Sequence, residues 1–348
     1  MLLKLEDNQV LTQCNSSWNT SLLAIKKANT DQLRLVQDYS TTLNKIKKLP
    51  NSPISNSRAT LNQISAQISK IKFVYSERPL ITTMDICSGF WTVSMRPSHR
   101  KYLAFKHNAR QFTFKRMPMG TKNSPADFCF MMASLMGDLN TEKSKVFIYM
   151  DDLIIIGCES EAIELMDKIL ARLAANNLLV KMRKCYFFQS SVEFLGYRVT
   201  VDGIEPIKHK LSKLSDCKTP TNLNEAYILC GLAAYYCRQM PKLQMLLGPL
   251  QDVMKKKGPF VMSHEALEGV KHVKQMASKG FQLKHLDESR DILIISDASL
   301  VGIGGAIANA TVDNGEISDV DIVSYASRRL DLQEQLLASR CREIIGAS

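Results

Sequence analysis

The stretch Val146 to Ile156 reads VFIYMDDLIII, two short apolar runs on either side of a pair of aspartates. Runs of this length, rich in β-branched residues, are strand-formers, and the polar break predicts a hairpin with its turn at Met150 to Asp152. Strand-like segments at Leu80 to Asp85 and Phe112 to Lys115 alternate with a helical segment, Ser124 to Leu139, whose Pro125 suits a first turn. After the hairpin, Ser160 is placed to cap a helix with apolar positions Ile163, Met166, Ile169, Leu170 and Leu173, running out at Asn176 and Asn177. Tyr186 to Phe188 and Phe194 to Val201 are expected to be a strand pair, closed by the turn residues Asp202 and Gly203. Pro206 to about Pro259 reads as helical, with Asn222 and Glu225 spaced as in a capping box and Pro241 ending the segment. A further helix is expected over Glu265 to Met276. Ile292 to Ser296 then looks like a buried strand, followed by a glycine-rich turn, Gly302 to Gly305, and the small-residue run Ala306 to Ala310. Residues 1 to 70 are polar and predict a small, loop-rich lobe with one β-prone run, Leu22 to Ile25, and a proline-bearing connector, Lys48 to Pro53.

Length and composition frame these elements. A chain of 348 residues exceeds what one hydrophobic core organises, so two or three packed units are expected. The profile, 45% apolar and 23% charged, is that of a folded protein rather than a disordered one. The net charge of +11 is uneven: residues 291 to 348 carry nine Asp or Glu against four Arg, a balance of −5, so everything before them sums to +16. Residues 205 to 257 alone hold nine Lys or Arg against four acids. Such a basic body favours a polyanionic partner, because phosphates neutralised by Lys or Arg release condensed counterions. The nine cysteines form no CxxC pair and no zinc-type spacing, which points to reduced thiols. The N-terminus reads unlike a signal peptide, so Asn15, Asn19 and Asn309 head chance sequons, and no run of 18 apolar residues is present to span a membrane.

The candidate chemistry lies in the aspartates. Asp151 and Asp152 sit next to each other between apolar strands, where like charges repel and lose hydration, and a divalent ion on hard oxygen ligands relieves both penalties. Turn chemistry is the competing explanation, since Asp favours turns. Asp85, at the end of Leu80 to Met84, tips the balance: two strands can bring three carboxylates to one sheet edge. Such a cluster suits two ions about 4 Å apart, one activating a 3′-hydroxyl and one steadying a leaving pyrophosphate.

With these residues in view, the sequence resembles the reverse transcriptases of gypsy-type LTR retrotransposons and, more distantly, retroviral enzymes, over nearly the whole chain. TMDICSGF, Thr83 to Phe90, is similar to the family's first metal-binding motif. The resemblance implies metal ligands at the Asp85 side chain and the Ile86 carbonyl, and a steric gate against a 2′-hydroxyl at Phe90. RMPMGTKNSPADF, Arg116 to Phe128, resembles the template-and-nucleotide motif, with Met119 where retroviral enzymes have Gln. YMDD, Tyr149 to Asp152, is the most specific tetrapeptide and supplies Asp151 and Asp152 as the remaining catalytic ligands. FLGYRV, Phe194 to Val199, resembles the primer grip, giving Phe194, Leu195 and Gly196, and Lys184 before it is implied as proton donor to pyrophosphate. SSWNTSLLAIKK and LRLVQDY resemble the fingers, which carries Lys27 and Arg34 over as triphosphate contacts. TPTNLNEAYILCGLAAYY resembles the thumb and connection. ISDASLVGIGGAI with SYASRRL resembles the opening of a ribonuclease H domain, with Asp297 and Glu343 as its first two carboxylates.

The resemblance implies an α+β right-hand polymerase followed by a truncated α/β ribonuclease-H-like unit. Its expected regions are fingers at 1–70, palm with some fingers at 71–204, thumb at 205–260, connection at 261–290 and the ribonuclease-H-like region at 291–348. The implied activity is RNA-directed DNA synthesis with two Mg2+ ions, or Mn2+ in their place, on a primed RNA or DNA template with deoxynucleoside triphosphates. Further ribonuclease H carboxylates come from later strands, so the expected ribonuclease H activity is nil. Location is expected in the cytosol, particle-associated there, or in the nucleus. One rival is a catalytically silent nucleic-acid-binding remnant, but the palm carboxylates, the gate aromatic and Lys184 are all intact. An RNA polymerase or a non-LTR reverse transcriptase is disfavoured by YMDD followed by FLG.

Overall fold

The computed structural model describes residues 2–26, 33–46 and 56–347. The chain forms two compact units, Met1–Leu61 with Thr82–Phe188 and Asn62–Ile81 with Gln189–Ser348. Lys27 lies outside the described residues.

The first unit holds three small sheets. Strand β1 (Leu11–Gln13) pairs antiparallel with β6 (Arg110–Phe114), which pairs with β5 (Phe105–His107), while β2 (Ser21–Lys26) and β3 (Leu33–Asp38) form a separate hairpin with Ile25 opposite Arg34. The third sheet, in the order β7-β8-β4-β9, combines β4 (Pro79–Asp85), β7 (Lys145–Tyr149), β8 (Asp152–Cys158) and β9 (Tyr186–Gln189). β8 carries no alternation: Leu153 through Cys158 are all buried, as befits an inner strand covered on both faces. Helices α1 (Ser124–Met136) and α2 (Ala162–Ala175) cover one of these faces, packing Phe128, Met132, Leu165 and Ile169 against Met84, Ile86, Leu153 and Ile155. Each such side chain contributes roughly 2 kcal/mol by leaving water. Pro125 stands in the first turn of α1 as expected, and Ser124 anchors that turn by donating to the Pro118 carbonyl at 3.0 Å.

Several expectations for residues 1 to 188 are corrected. The cap position of α2 is Glu161, not Ser160, whose hydroxyl instead meets Cys158 Sγ at 3.1 Å. Tyr186 to Phe188 does not pair with the segment after it but joins the sheet edge beside β4. The segment 1–70 is not loop-rich, since its described residues include the 13-residue helix Ser57–Ser69 as well as the β2–β3 hairpin.

The second unit contains the antiparallel sheet β10-β11-β12-β13: β10 (Ser191–Phe194), β11 (Tyr197–Thr200), β12 (Gly203–Pro206) and β13 (Leu283–Lys284). Phe194 to Val201 is therefore two strands, not one. Leu195 and Gly196 take φ of 48° and 79° between the paired residues Phe194 and Tyr197, the left-handed pair that a two-residue hairpin demands. Helices α3 (Lys208–Ser215), α4 (Leu223–Tyr235), α5 (Leu243–Lys255) and α6 (His264–Lys279) follow. Asn222 caps α4 as expected, its Oδ1 accepting from the Glu225 amide at 3.0 Å, but the box is not closed on Asn222, since Glu225 accepts from the preceding Thr221 amide at 2.8 Å. Pro241 falls between α4 and α5. α5 and α6 cross closely at Gly269, where a Cβ would come within 2.0 Å of the Leu246 carbonyl oxygen.

A last sheet, in the order β14-β15-β16, joins β14 (Asp291–Ala298), β15 (Gly302–Asp313) and β16 (Glu316–Arg329), with α7 (Ser339–Ala347) packed on β14 and β15. Gly302 to Gly305 is the start of β15 rather than a turn. β14 is a strand, but not a buried one: Ile292 and Ile294 are 50% and 73% exposed on this edge strand. None of the described helices is long and apolar enough to cross a membrane.

Candidate active site

β8 lies next to β4, and the Ile86 amide donates to the Asp151 carbonyl at 3.1 Å, which sets the end of β4 against the tip of the β7–β8 hairpin. Asp85 thus stands beside Asp151 and Asp152. The hairpin loop is only Met150 and Asp151, between the paired residues Tyr149 and Asp152. Met150 takes φ 53°, a conformation a side-chain-bearing residue adopts only where its surroundings enforce it.

Two lysines converge on Asp85. The strand-like segment Leu179 to Lys181 runs along the end of β4: the Cys87 amide donates to the Leu179 carbonyl at 2.6 Å and the Lys181 amide to the Asp85 carbonyl at 2.9 Å. A 3-10 turn at Met182–Lys184 follows, so residues 181 and 184 end on one side of the backbone. Lys181 Nζ donates to Asp85 Oδ1 and lies 3.4 Å from the Ile86 carbonyl oxygen, and Lys184 Nζ donates to Asp85 Oδ2 at 2.9 Å.

The charges of the site are coupled. Partial burial works to raise the Asp85 carboxyl, but the hydrogen bonds and charges of Lys181 and Lys184 outweigh it and hold the group below the usual carboxylate range. Asp152 is pushed the other way, first by desolvation and then by the negative charges of Asp85 and Asp151, against the pull of the two lysines. The charges of Asp85 and Asp151 thus act on Asp152 in the same direction.

The donors fit a hard divalent cation. Carboxylate oxygens from Asp85, Asp151 and Asp152 and the carbonyl of Ile86 are the ligand type magnesium prefers, and two of these oxygens already face a cationic group in the Lys181 ammonium. As the side chains stand, no three His, Cys, Asp or Glu among the described residues close on a common metal position.

Phe90 follows in a 3-10 turn, Gly89–Thr92, entered through Ser88 at φ 52°. Its ring meets Phe128 edge to face at 5.4 Å, and Gly89 is required there because a Cβ would fall 2.6 Å from Phe128 Cζ. Met119 is half-buried in a loop whose next residue, Gly120, accepts a 2.9 Å hydrogen bond from Asn44. Arg34 is on β3. Phe194, Leu195 and Gly196 form the β10–β11 turn in the second unit, where the Tyr235 hydroxyl donates to the Leu195 carbonyl. Asp297, also in the second unit, is ion-paired to Lys242 at 2.9 Å, and Glu343 is exposed on α7. Lys181 was not among the residues singled out by sequence; its spacing of three from Lys184 was the available signal.

A family model described as reverse transcriptase (RNA-dependent DNA polymerase) matches residues 25–199, half of the chain. The chain belongs to the reverse transcriptase family. Polymerases of this family depend on a divalent metal, generally magnesium. The chain is 29% identical over 283 residues to the Transposon Tf2-3 and Transposon Tf2-7 polyproteins of Schizosaccharomyces pombe. That alignment covers 81% of this chain and 20% of each polyprotein, so the chain spans about a fifth of their length. Among solved structures, it is similar to the foamy viral protease-reverse transcriptase dRH in complex with double-stranded DNA, with a TM-score of 0.82 at 20% identity, covering 99% of this chain and 57% of that one. The foamy viral protease-reverse transcriptase in complex with an RNA/DNA hybrid gives a TM-score of 0.76 at 20% identity, covering 99% of this chain and 44% of that one. The fold is accordingly the α+β right-hand polymerase fold expected from sequence.

Proposed function

We propose that this reverse transcriptase chain extends the 3′ end of a primer with deoxynucleotides on an RNA or DNA template, as the polymerase region of a retrotransposon protein. The observation that carries the reading is that the end of β4, with Asp85, lies against the β7–β8 tip that carries Asp151 and Asp152, with Lys184 bonded to Asp85. Asp85, the Ile86 carbonyl, Asp151 and Asp152 would hold two Mg2+ ions. When bound, these would supply Lewis-acid activation of a 3′-hydroxyl and charge neutralisation at the leaving pyrophosphate. Lys184, with 65% of its side chain exposed, can swing toward a departing pyrophosphate and give it a proton. Phe90 selects against the 2′-hydroxyl, with Met119, Lys27 and Arg34 at the nucleotide and Phe194, Leu195 and Gly196 as the primer grip.

In this reading residues 1–70 are fingers, 71–204 palm, 205–260 thumb, 261–290 connection and 291–348 the opening of a ribonuclease-H-like domain. Asp297 and Glu343 are the ribonuclease-H-like site carboxylates of that last segment. The protein acts in the cytosol, in a particle there, or in the nucleus. Primer extension from oligo-dT on poly-rA with magnesium tests the reading: Asp151→Asn loses extension while circular dichroism stays unchanged. Equal product from wild type and Asp151→Asn would refute it, and ribonucleotides accepted as readily as deoxynucleotides would reassign the chain to RNA synthesis.

A further inference from the structure

The oxygens read above as metal ligands already serve a cation that belongs to the chain. Lys181 Nζ bonds Asp85 Oδ1 and approaches the Ile86 carbonyl oxygen at 3.4 Å, so one ammonium bridges two of the four ligand groups. A divalent ion at the same oxygens would face this positive charge at contact distance, and like charges that close cannot share the lone pairs. The backbone of Lys181 is fixed, because its amide donates to the Asp85 carbonyl at 2.9 Å and Val180 bridges Ile86. Its side chain is not trapped: it is 40% exposed, against 18% for Asp85. The ammonium can therefore leave for solvent while its Cα stays in place. Lys184 differs, being bonded to the other carboxylate oxygen.

We propose that Lys181 is a tethered counter-cation, a positioning residue that competes with a divalent ion for the ligand oxygens of Asp85 and Ile86 and gives them up when the ion binds. The proposal rests on reading those two groups as metal ligands. It sets the affinity of the protein for divalent ions below what its three carboxylates would otherwise give, since each binding event must first break an ion pair.

The test uses Mn2+ as probe, with free Mn2+ followed by electron paramagnetic resonance as the full chain is titrated in the absence of nucleotide and primer. Lys181→Met should lower the Mn2+ dissociation constant about fivefold, the ratio that matches an ion pair at the upper end of the solvent-accessible range. Lys181→Gln should give the same shift with a polar side chain, which guards against an effect of the methionine on packing. Lys181→Arg, which keeps the charge, should stay within about twofold of wild type, and Asp85→Asn should bind Mn2+ more weakly than any of these. Unchanged or weaker binding in both Lys181→Met and Lys181→Gln, beside a defective Asp85→Asn, overturns the role of Lys181 and leaves the ligand reading standing. Wild-type Mn2+ binding by Asp85→Asn overturns the ligand reading itself.

Discussion

His285 offers a stability prediction that can be worked in numbers. The imidazole is 3% exposed, with Nδ1 2.7 Å from Ser65 Oγ and Nε2 2.8 Å from the Thr200 carbonyl oxygen. A carbonyl only accepts, so Nε2 carries the proton and Nδ1 accepts from Ser65. Burial is the main force on its pKa, lowering it from 6.5 to about 4, with Lys72 and Lys284 helping and the Thr200 bond and Asp202 opposing. Between these values the unfolded chain binds a proton that the folded one refuses, so stability rises with pH through the window. The contribution is intact above pH 6.5, shrinks as pH falls, and the deficit is complete below about pH 4. A difference of 2.5 units (6.5 less about 4) corresponds to about 3 kcal/mol in full, of which about 2 kcal/mol falls between pH 7 and pH 5. Because the chain has two compact units, the measurement should be local: amide exchange in β11 and β12 at pH 7 and pH 5, for wild type and His285→Gln. Wild type should lose about 2 kcal/mol more than the variant over that interval. Equal losses would show that the imidazole is not held neutral by its surroundings.

Gly269→Ala should lower the melting temperature of the second unit by several degrees, read by differential scanning calorimetry, because its Cβ would meet the Leu246 carbonyl oxygen at 2.0 Å and forced backbone shifts cost about 1–3 kcal/mol. Phe90→Val should raise ribonucleotide incorporation about tenfold or more relative to deoxynucleotides in single-nucleotide extension, as the flat ring that packs on Phe128 gives way to a smaller side chain.

What the sequence disclosed divides along physical lines. The β7–β8 hairpin and helix α1 were legible because apolar runs, a charged pair and a first-turn proline are local signals. So was the cap of α4, where Asn222 and Glu225 act within one turn. FLGYRV hid a turn, since Leu195 carries no mark of the left-handed conformation it adopts and only Gly196 hints at one. Gly302 to Gly305 looked like a turn by composition, yet these residues pair in register with β14 and β16 on both sides. Ile292 to Ser296 is apolar enough to suggest burial, but exposure is set by what packs against a strand, and no local pattern encodes that. At the site, the three aspartates were found through their spacing and family likeness. Lys181 was not, because its partner Asp85 lies 96 residues away and only the pairing of Val180 with Ile86 brings them together.

The lysine pair on Asp85 also bears on how the protein assembles. Where a bound metal supplies the folding free energy of a small domain, chelators denature it. Here the charge that compensates Asp85 is covalently joined to the polypeptide, on Lys181 and Lys184 at the 3-10 turn. A chelating agent should therefore leave the circular dichroism and melting temperature of this protein unchanged.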